Sequence, residues 1–321
     1  MILAASGGWL ALAGFQAFAQ PSKSQRRIAV LLPGTHSVYN SRLEAFRLRL
    51  KDLGHVEGRD ILIEARWAED RTERLASIAA DLVALDPAVI LTASSAGVHA
   101  CKKATSRIPI VFATAGNPVE QGFVASLGRP GGNVTGVATH VIDAKRVEIA
   151  REALPRAKRL AMLVHDPDPM SESTVGTFIK AAEQYRFVPV VVRVRRAEEL
   201  ALAFNEIVNA KPDALYLPIL TFMSSHGRYL AERALEARLP MFTGHSATTV
   251  AGGLLSYGAD RLENYRRAAA LVDKILRGAR PAELPVEQPE RFEFVVNLKT
   301  AKEIGVALPQ SVLLRANRVI E

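Results

Sequence analysis

Two loops place hydrogen-bonding side chains where chemistry could begin. In Ala93-Ser94-Ser95-Ala96-Gly97, adjacent hydroxyls follow a β-rich run and precede a helical stretch. There the hydroxyls and neighbouring amides can hold a carboxylate, through capping geometry and the partial positive charge of a helix start. Simple helix capping explains the same serines, and the two roles are compatible. The second loop, Ala113-Thr114-Ala115-Gly116-Asn117-Pro118, offers Ala115 and Asn117 in a comparable position. Tyr39, Phe222 and Tyr257 are aromatics able to stack on an apolar ligand group, with Phe222 the preferred one; each could instead serve packing. Thr35, Thr221 and Ser246 add donors. His165-Asp166-Pro167-Asp168 is the one local meeting of imidazole and carboxylates, and it reads as a loop held by Pro167 and Pro169 rather than as a catalytic pair. Asp168 stays a candidate ligand contact.

The motifs that would carry covalent or cofactor chemistry are missing. The loop beginning Pro33-Gly34-Thr35-His36 lacks the GxGxxG fingerprint of a dinucleotide site, and there is no P-loop. No G-x-S-x-G elbow supports a hydrolase. The seven histidines, His36, His55, His99, His140, His165, His226 and His245, are dispersed, with no HExxH and no paired cysteines. The expectation is binding without catalysis, cofactor or metal.

The elements that must position these loops alternate short β-rich runs with amphipathic helices, the pattern of parallel strands joined by helical crossovers. Ile28 to Leu32 reads as a buried first strand, closed by Pro33-Gly34, with Leu43, Phe46, Leu50 and Leu53 following at helical spacing. Further strands are expected at Ile61 to Ala65, Val89 to Thr92, Ile110 to Phe112 and Val134 to Ala138, with a helix at Asp143 to Ala153. The alternation restarts at Leu160 to Val164 and continues through Val188 to Val192, Ala214 to Leu217 and Pro240 to Thr243. Helical stripes around Phe178 to Tyr185, Leu200 to Val208 and Tyr229 to Ala237 lie between them. A strand between glycines at 252–258, a helix carrying Leu262, Tyr265, Ala269, Val272 and Leu276, a strand at Phe292 to Val296 and a helix around Thr300 to Ile304 close the chain. In such sheets the ligand sits at the carboxyl ends of the strands. That criterion selects the loops Pro33 to Asn40, Ala93 to Gly97, Ala113 to Pro118, His165 to Ser173, Pro218 to Ser225 and Gly244 to Thr249.

A length of 321 residues exceeds what one core usually fills, so two lobes are expected. The first 19 residues carry no charge and end in Ala17-Phe18-Ala19, which reads as a signal peptide cut before Gln20 and implies a periplasmic location. The lone Cys101 cannot form an internal disulfide and reads as a core residue. The net charge of +8 is spread over scattered basic pairs among acidic residues, and aromatics are only 6%, so a nucleic-acid partner is not expected. No helix-turn-helix precedes the first strand, which counts against a transcriptional regulator.

Several separate segments carry a family resemblance. Gly54-His55-Val56-Glu57-Gly58-Arg59, Ala65-Arg66-Trp67-Ala68-Glu69, Ile108 to Phe112, Asn117-Pro118-Val119, Ser126 to Gly136, Pro285 to Pro289 and Asn297 to Lys302 together resemble the ABC-transporter substrate-binding family that includes tryptophan-binding members. The resemblance covers nearly everything from Arg27 to Glu321. It implies an α/β fold of the type I periplasmic-binding-protein kind: two doubly wound parallel-sheet lobes joined by a three-stranded hinge, with the ligand between them. On that plan residues 26–139 with about 260–285 form the first lobe, and 140–259 with about 286–321 the second. The partners implied are a small-molecule ligand, such as an aromatic amino acid or related carboxylate, and a membrane ABC permease; the chain is expected to be a monomer. The alternatives are an α/β enzyme acting on a small molecule, or a sensor feeding a signalling receptor. The sequence departs from the family's usual asparagine-proline turn at His165-Asp166-Pro167-Asp168.

Overall fold

The computed structural model describes residues 25–139 and 143–321. The expected leader, Met1 to Ala19, lies outside them, as does His140. From Arg26 the chain forms β1 (Arg26–Leu32), α1 (His36–Asp52), β2 (Ile61–Trp67), α2 (Leu75–Ala84), β3 (Val89–Thr92), α3 (Ser94–Ala104), β4 (Ile110–Gly116) and β5 (Val134–Thr139). These strands make a parallel sheet in the order β2-β1-β3-β4-β5.

The apolar run at β1 is continuous because both faces of the strand are covered. Ile28, Val30 and Leu32 share a core cluster with Leu43, Phe46 and Leu50 of α1. Ala29 and Leu31 point the other way, into a cluster with Leu75, Ile78 and Leu82 of α2 and with Val98 and Cys101 of α3. Cys101 is a buried free thiol, the core position expected of a lone cysteine.

The second half supplies α4 (Asp143–Ala153), β6 (Arg159–His165), α5 (Ser171–Gln184), β7 (Val188–Val194), α6 (Leu200–Asn209), β8 (Ala214–Leu217), α7 (Thr221–Ser225), α8 (Gly227–Glu236), β9 (Met241–Thr243), α9 (Ser246–Val250) and β10 (Leu255–Ala259). After these come α10 (Arg261–Leu276), β11 (Phe292–Asn297), α11 (Leu298–Ile304), α12 (Gln310–Leu313) and β12 (Arg318–Ile320). The second sheet runs β12-β11-β10-β9-β8-β6-β7 and is parallel except where β10 meets β11. The α/β, two-lobed architecture expected from the alternation is therefore present.

α10 follows a strand of the second sheet, yet its Tyr265, Ala268, Ala269 and Val272 belong to the core under α1. Asp260 caps it, accepting from the Glu263 amide at 3.1 Å. The chain thus passes between the lobes after β5, between β10 and α10, and again before β11, where Val137 bridges Glu287.

The structure departs from the sequence reading at several loops. Pro33 to Asn40 was expected to be a loop, but α1 already begins at His36, with Thr35 extended just before it. α7 and α9 likewise fill most of two expected loops with single short helices. β12 was not anticipated, since three residues carry too little pattern to read.

Gly136 in β5 shows why one glycine is obligatory. A Cβ there would lie 2.2 Å from the Phe112 carbonyl oxygen and 2.5 Å from the Phe112 ring, both in the neighbouring strand. Gly136→Ala is expected to lower stability by about 2 kcal/mol through forced strand separation. Urea denaturation would register this as a lower midpoint at unchanged slope.

Candidate functional site

The carboxyl ends of both sheets face one another across a cleft. The first lobe contributes Tyr39 of α1, Ser94 and Ser95 at the start of α3, Thr114 to Gly116 at the end of β4, Thr139 of β5 and Arg261 at the start of α10. The second contributes Asp143 and Arg146 of α4, Asp168, Met170 and Thr174 around the β6–α5 turn, and Ile219 to Thr221 with Ser224 after β8.

The serine end of the cleft is built by a sharp turn. Ser94 takes φ +60° directly after extended Ala93, so the chain swings from strand to helix within one residue. Its amide is 3.5 Å from Thr114 Oγ1, and its hydroxyl accepts from the Gly97 amide at 3.4 Å. Ser94 is thus both a cap and a lining residue. Ser95 is 4% exposed, and its Oγ has no hydrogen-bond partner within the protein. A buried hydroxyl without a partner is costly, so the cleft offers one donor in search of an acceptor. The first-turn amides of α3 have no intrahelical acceptor, and two of them, those of Ser94 and Gly97, are met by the Thr114 and Ser94 hydroxyls. The β4–β5 pairing shifts register between Phe112 and Ala115, a local irregularity that redirects Thr114 and Ala115 at the cleft.

The opposite end is acidic. Asp168 Oδ1 accepts from the Met170 amide at 2.9 Å, and burial pushes its carboxyl up to about 6. Its neighbours in the acid-and-imidazole cluster are turned to other tasks. His165 Nε2 donates to the Arg195 carbonyl at 3.1 Å, and burial lowers its pKa. Asp166 is held below the ordinary carboxylate range by a hydrogen bond from Arg193, at 2.6 Å, with a second from Arg195, at 3.3 Å. Only Asp168 of the cluster lines the cleft.

Arg146 forms the floor. It is 3% exposed; Nη1 donates to Asp143 Oδ1 at 2.6 Å and lies 3.3 Å from Tyr216 Oη, while Nε donates to the Tyr257 carbonyl at 2.7 Å. The Tyr216 hydroxyl also donates to Asp143, and burial followed by that carboxylate raises its pKa well above the ordinary phenol value.

The lobes touch beside the cleft. Ser225 Oγ donates to Asp70 Oδ1 at 2.7 Å, and burial pushes the Asp70 carboxyl up to about 6. Tyr39, 4% exposed, also meets the Thr221 side chain of the other lobe.

Of the residues singled out in the sequence, Tyr39, Ser94, Ser95, Ala115, Asp168 and Thr221 come together in this cleft. The others sit elsewhere. Thr35 bonds Ser37 at the start of α1, 3.0 Å away. Asn117 takes φ +42° and donates to Glu120, closing its own turn. Phe222, the preferred aromatic, is 5% exposed and stacks on His165 at 4.2 Å and against His226 at 4.3 Å; α7 turns its ring into the core of the second lobe. The Ser246 hydroxyl donates to Glu293 at 2.9 Å in an adjoining chamber. The Tyr257 ring packs against Phe292 and Phe294, and only its carbonyl serves the site, through Arg146. The sequence reading missed Asp143, Arg146 and Arg261. Their signal was position: each stands in the first turn of a helix that follows a passage between lobes.

Among the described residues there is no group of three or more His, Cys, Asp or Glu side chains able to hold a metal ion, and no helix long and apolar enough to cross a membrane.

Comparison with known proteins agrees with this geometry. A tyrosine-binding protein of Clostridioides difficile (strain R20291) is 26% identical over 285 residues, covering 89% of this chain and 82% of that protein. A solved ABC domain in complex with L-Trp from Streptococcus pneumonia superposes with a TM-score of 0.86 at 25% identity, covering 92% of this chain and all of the other. A conserved domain protein from Vibrio cholerae matches with a TM-score of 0.87 at the same identity and the same coverage. These are matches of type I periplasmic-binding-protein form. The family model described as ABC transporter substrate binding protein spans residues 27–320, and with that span, the two facing sheets and the cleft between them, this chain belongs to the ABC transporter substrate-binding protein family.

Proposed function

We propose that this chain is the extracytoplasmic receptor of an ABC importer and captures a small zwitterion, an aromatic amino acid or a related carboxylate, without altering it. One observation carries the reading: the cleft is short of an acceptor at Ser95 and holds a nearly unsatisfied carboxylate at Asp168. A carboxylate at the α3 end and an ammonium at Asp168 meet both demands at once. Ser94, Ala115, Thr221 and Tyr39 then contact the rest of the solute. Thr35, Asn117, Phe222, Ser246 and Tyr257 act behind them, as packing and loop geometry. The relatives that bind tyrosine and L-Trp support the aromatic assignment.

Residues 26–139 with about 260–285 move as one body and 140–259 with about 286–321 as the other. Ligand favours the closed form because only that form offers contacts from both lobes, and a membrane permease recognises it. The leader Met1 to Ala19 directs the chain to the periplasm and is removed. The working unit is a monomer that needs no cofactor, performs no catalysis and engages no nucleic acid.

A thermal-shift screen of the chain from Gln20 onward against amino acids, aromatic acids, sugars and nucleosides tests the ligand class. A true ligand at a hundredfold excess over its dissociation constant stabilises the native state by roughly 2.7 kcal/mol. Aromatic amino acids or acids are expected to shift the transition and be recovered unchanged. A shift confined to sugars or nucleosides, or consumption of the compound, would overturn the assignment.

A further inference from the structure

Next to the solute cleft, past Ser224 and Arg261, which line both, lies a larger chamber of about 590 Å³. Its walls come from both lobes. Arg42 and Arg261 belong to α1 and α10 of the first; Ser256 and Arg318 belong to β10 and β12 of the second. Among the described residues, none of these three arginines forms an ion pair.

The other charged groups of the chamber, Arg228 against the Asp260 and Glu293 carboxylates, offset them only in part. Arg228 also lines it, 3.9 Å from Glu232. The acidic groups there are Asp260 and Glu293, and each already accepts a hydrogen bond: Asp260 from the Glu263 amide at 3.1 Å, Glu293 from Ser246 at 2.9 Å. His245 adds no charge, since burial and then the Arg261 and Arg42 guanidiniums push its pKa well down; it is bonded to Ser224 at 2.6 Å.

Arg42 and Arg261 also sit close enough to oppose one another. Burial and then Arg42 lower the Arg261 pKa to about 9. Two further groups in this region lack partners. Ser256 is 1% exposed, lines the chamber, and its Oγ has no hydrogen-bond partner within the protein. The Tyr265 hydroxyl, within electrostatic reach of both arginines, has none either.

We propose that this chamber is a second binding site, specific for a compact oxyanion such as a phosphate or carboxylate group, held by Arg42 and Arg261 with the Ser256 hydroxyl as an added donor. The guanidinium fork suits such an anion, and partial burial strengthens each charge-assisted bond. The anion engages residues of both lobes, so it acts as a clamp on the closed form. It arrives either as a free ion or as an acidic group of the solute held in the cleft. The site stands on its own residues and does not depend on the solute being an amino acid.

Inorganic phosphate titrated calorimetrically into the full chain at low ionic strength, in a buffer without competing oxyanions, tests this. Saturable one-to-one binding is expected, weakened at least tenfold in both Arg42→Gln and Arg261→Gln, and unchanged in Arg238→Gln, which lies outside the chamber. Circular dichroism melts of each variant confirm folding. Repeating the titration with an aromatic amino acid at saturation separates the sources: undiminished phosphate binding identifies a free-ion site, and competition identifies a subsite for an acidic group of the solute. No saturable phosphate binding by the unmodified chain, or equal binding by folded Arg42→Gln and Arg261→Gln variants, would overturn the proposal.

Discussion

Asp168→Asn is expected to weaken capture of an amino acid by about a hundredfold, near 3 kcal/mol, because it leaves the ligand's ammonium enclosed without its counter-charge. The same change should leave a plain aromatic carboxylate bound as well or better, since it removes a like charge. pH sharpens the test. Burial holds the free carboxyl at about 6, and an ammonium binds the ionised form, so binding must expel a proton when the pH is below that value. Affinity for an amino acid should therefore be flat above pH 6 and fall about tenfold per unit well below it. A ligand without an ammonium should show the reverse slope. The sign for stability of the free protein follows from the same raised value: the folded state holds more protons than the unfolded one between the ordinary carboxylate range and pH 6, so stability falls as pH rises through that window. Asp70, also raised to about 6, adds to this slope, and Asp168→Asn should remove only part of it. Titration calorimetry from pH 5 to 8 on both proteins measures the binding terms.

Arg146→Met should be the most destabilising single change near the cleft, by about 3–5 kcal/mol, since it strands the buried Asp143 carboxylate and deprives the Tyr257 carbonyl of its donor. Replacing the pair together, Arg146→Met with Asp143→Leu, should restore much of that loss, because an apolar pair avoids the desolvation that an unpaired charge suffers. Urea denaturation of the single and double variants decides this. A double variant no more stable than Arg146→Met would mean that the bonds to Tyr216 and Tyr257, rather than the charge pair, anchor α4.

These two residues also mark what the sequence could and could not disclose. Asp168 was legible because it follows a strand in a proline-bounded turn, and strand ends in an α/β sheet face the ligand. Ser94 and Ser95 were legible for the same reason. Arg146 reads as an ordinary helix residue, since its partners Tyr216 and Tyr257 lie 70 and 111 positions away. Phe222 shows the converse limit. An aromatic ring in an expected loop suits a ligand as well as a core, and the single turn of α7 that directs it onto His165 has no periodicity to announce it. Asn117 likewise satisfies itself within its own turn, a matter of one positive φ. The strands were clear where both sheet faces are covered, as in β1 and β8, and obscure at β12, where two of its three residues are exposed and the pattern is too short.

The most direct test is a crystal structure of the chain grown with whichever compound gives the largest thermal stabilisation. An unaltered small molecule is expected between the lobes, its carboxylate on Ser95 and the first turn of α3, and its ammonium on Asp168. A ligand bound outside the cleft, one held without contact to Asp168 or Ser95, or a chemically changed molecule would contradict that expectation.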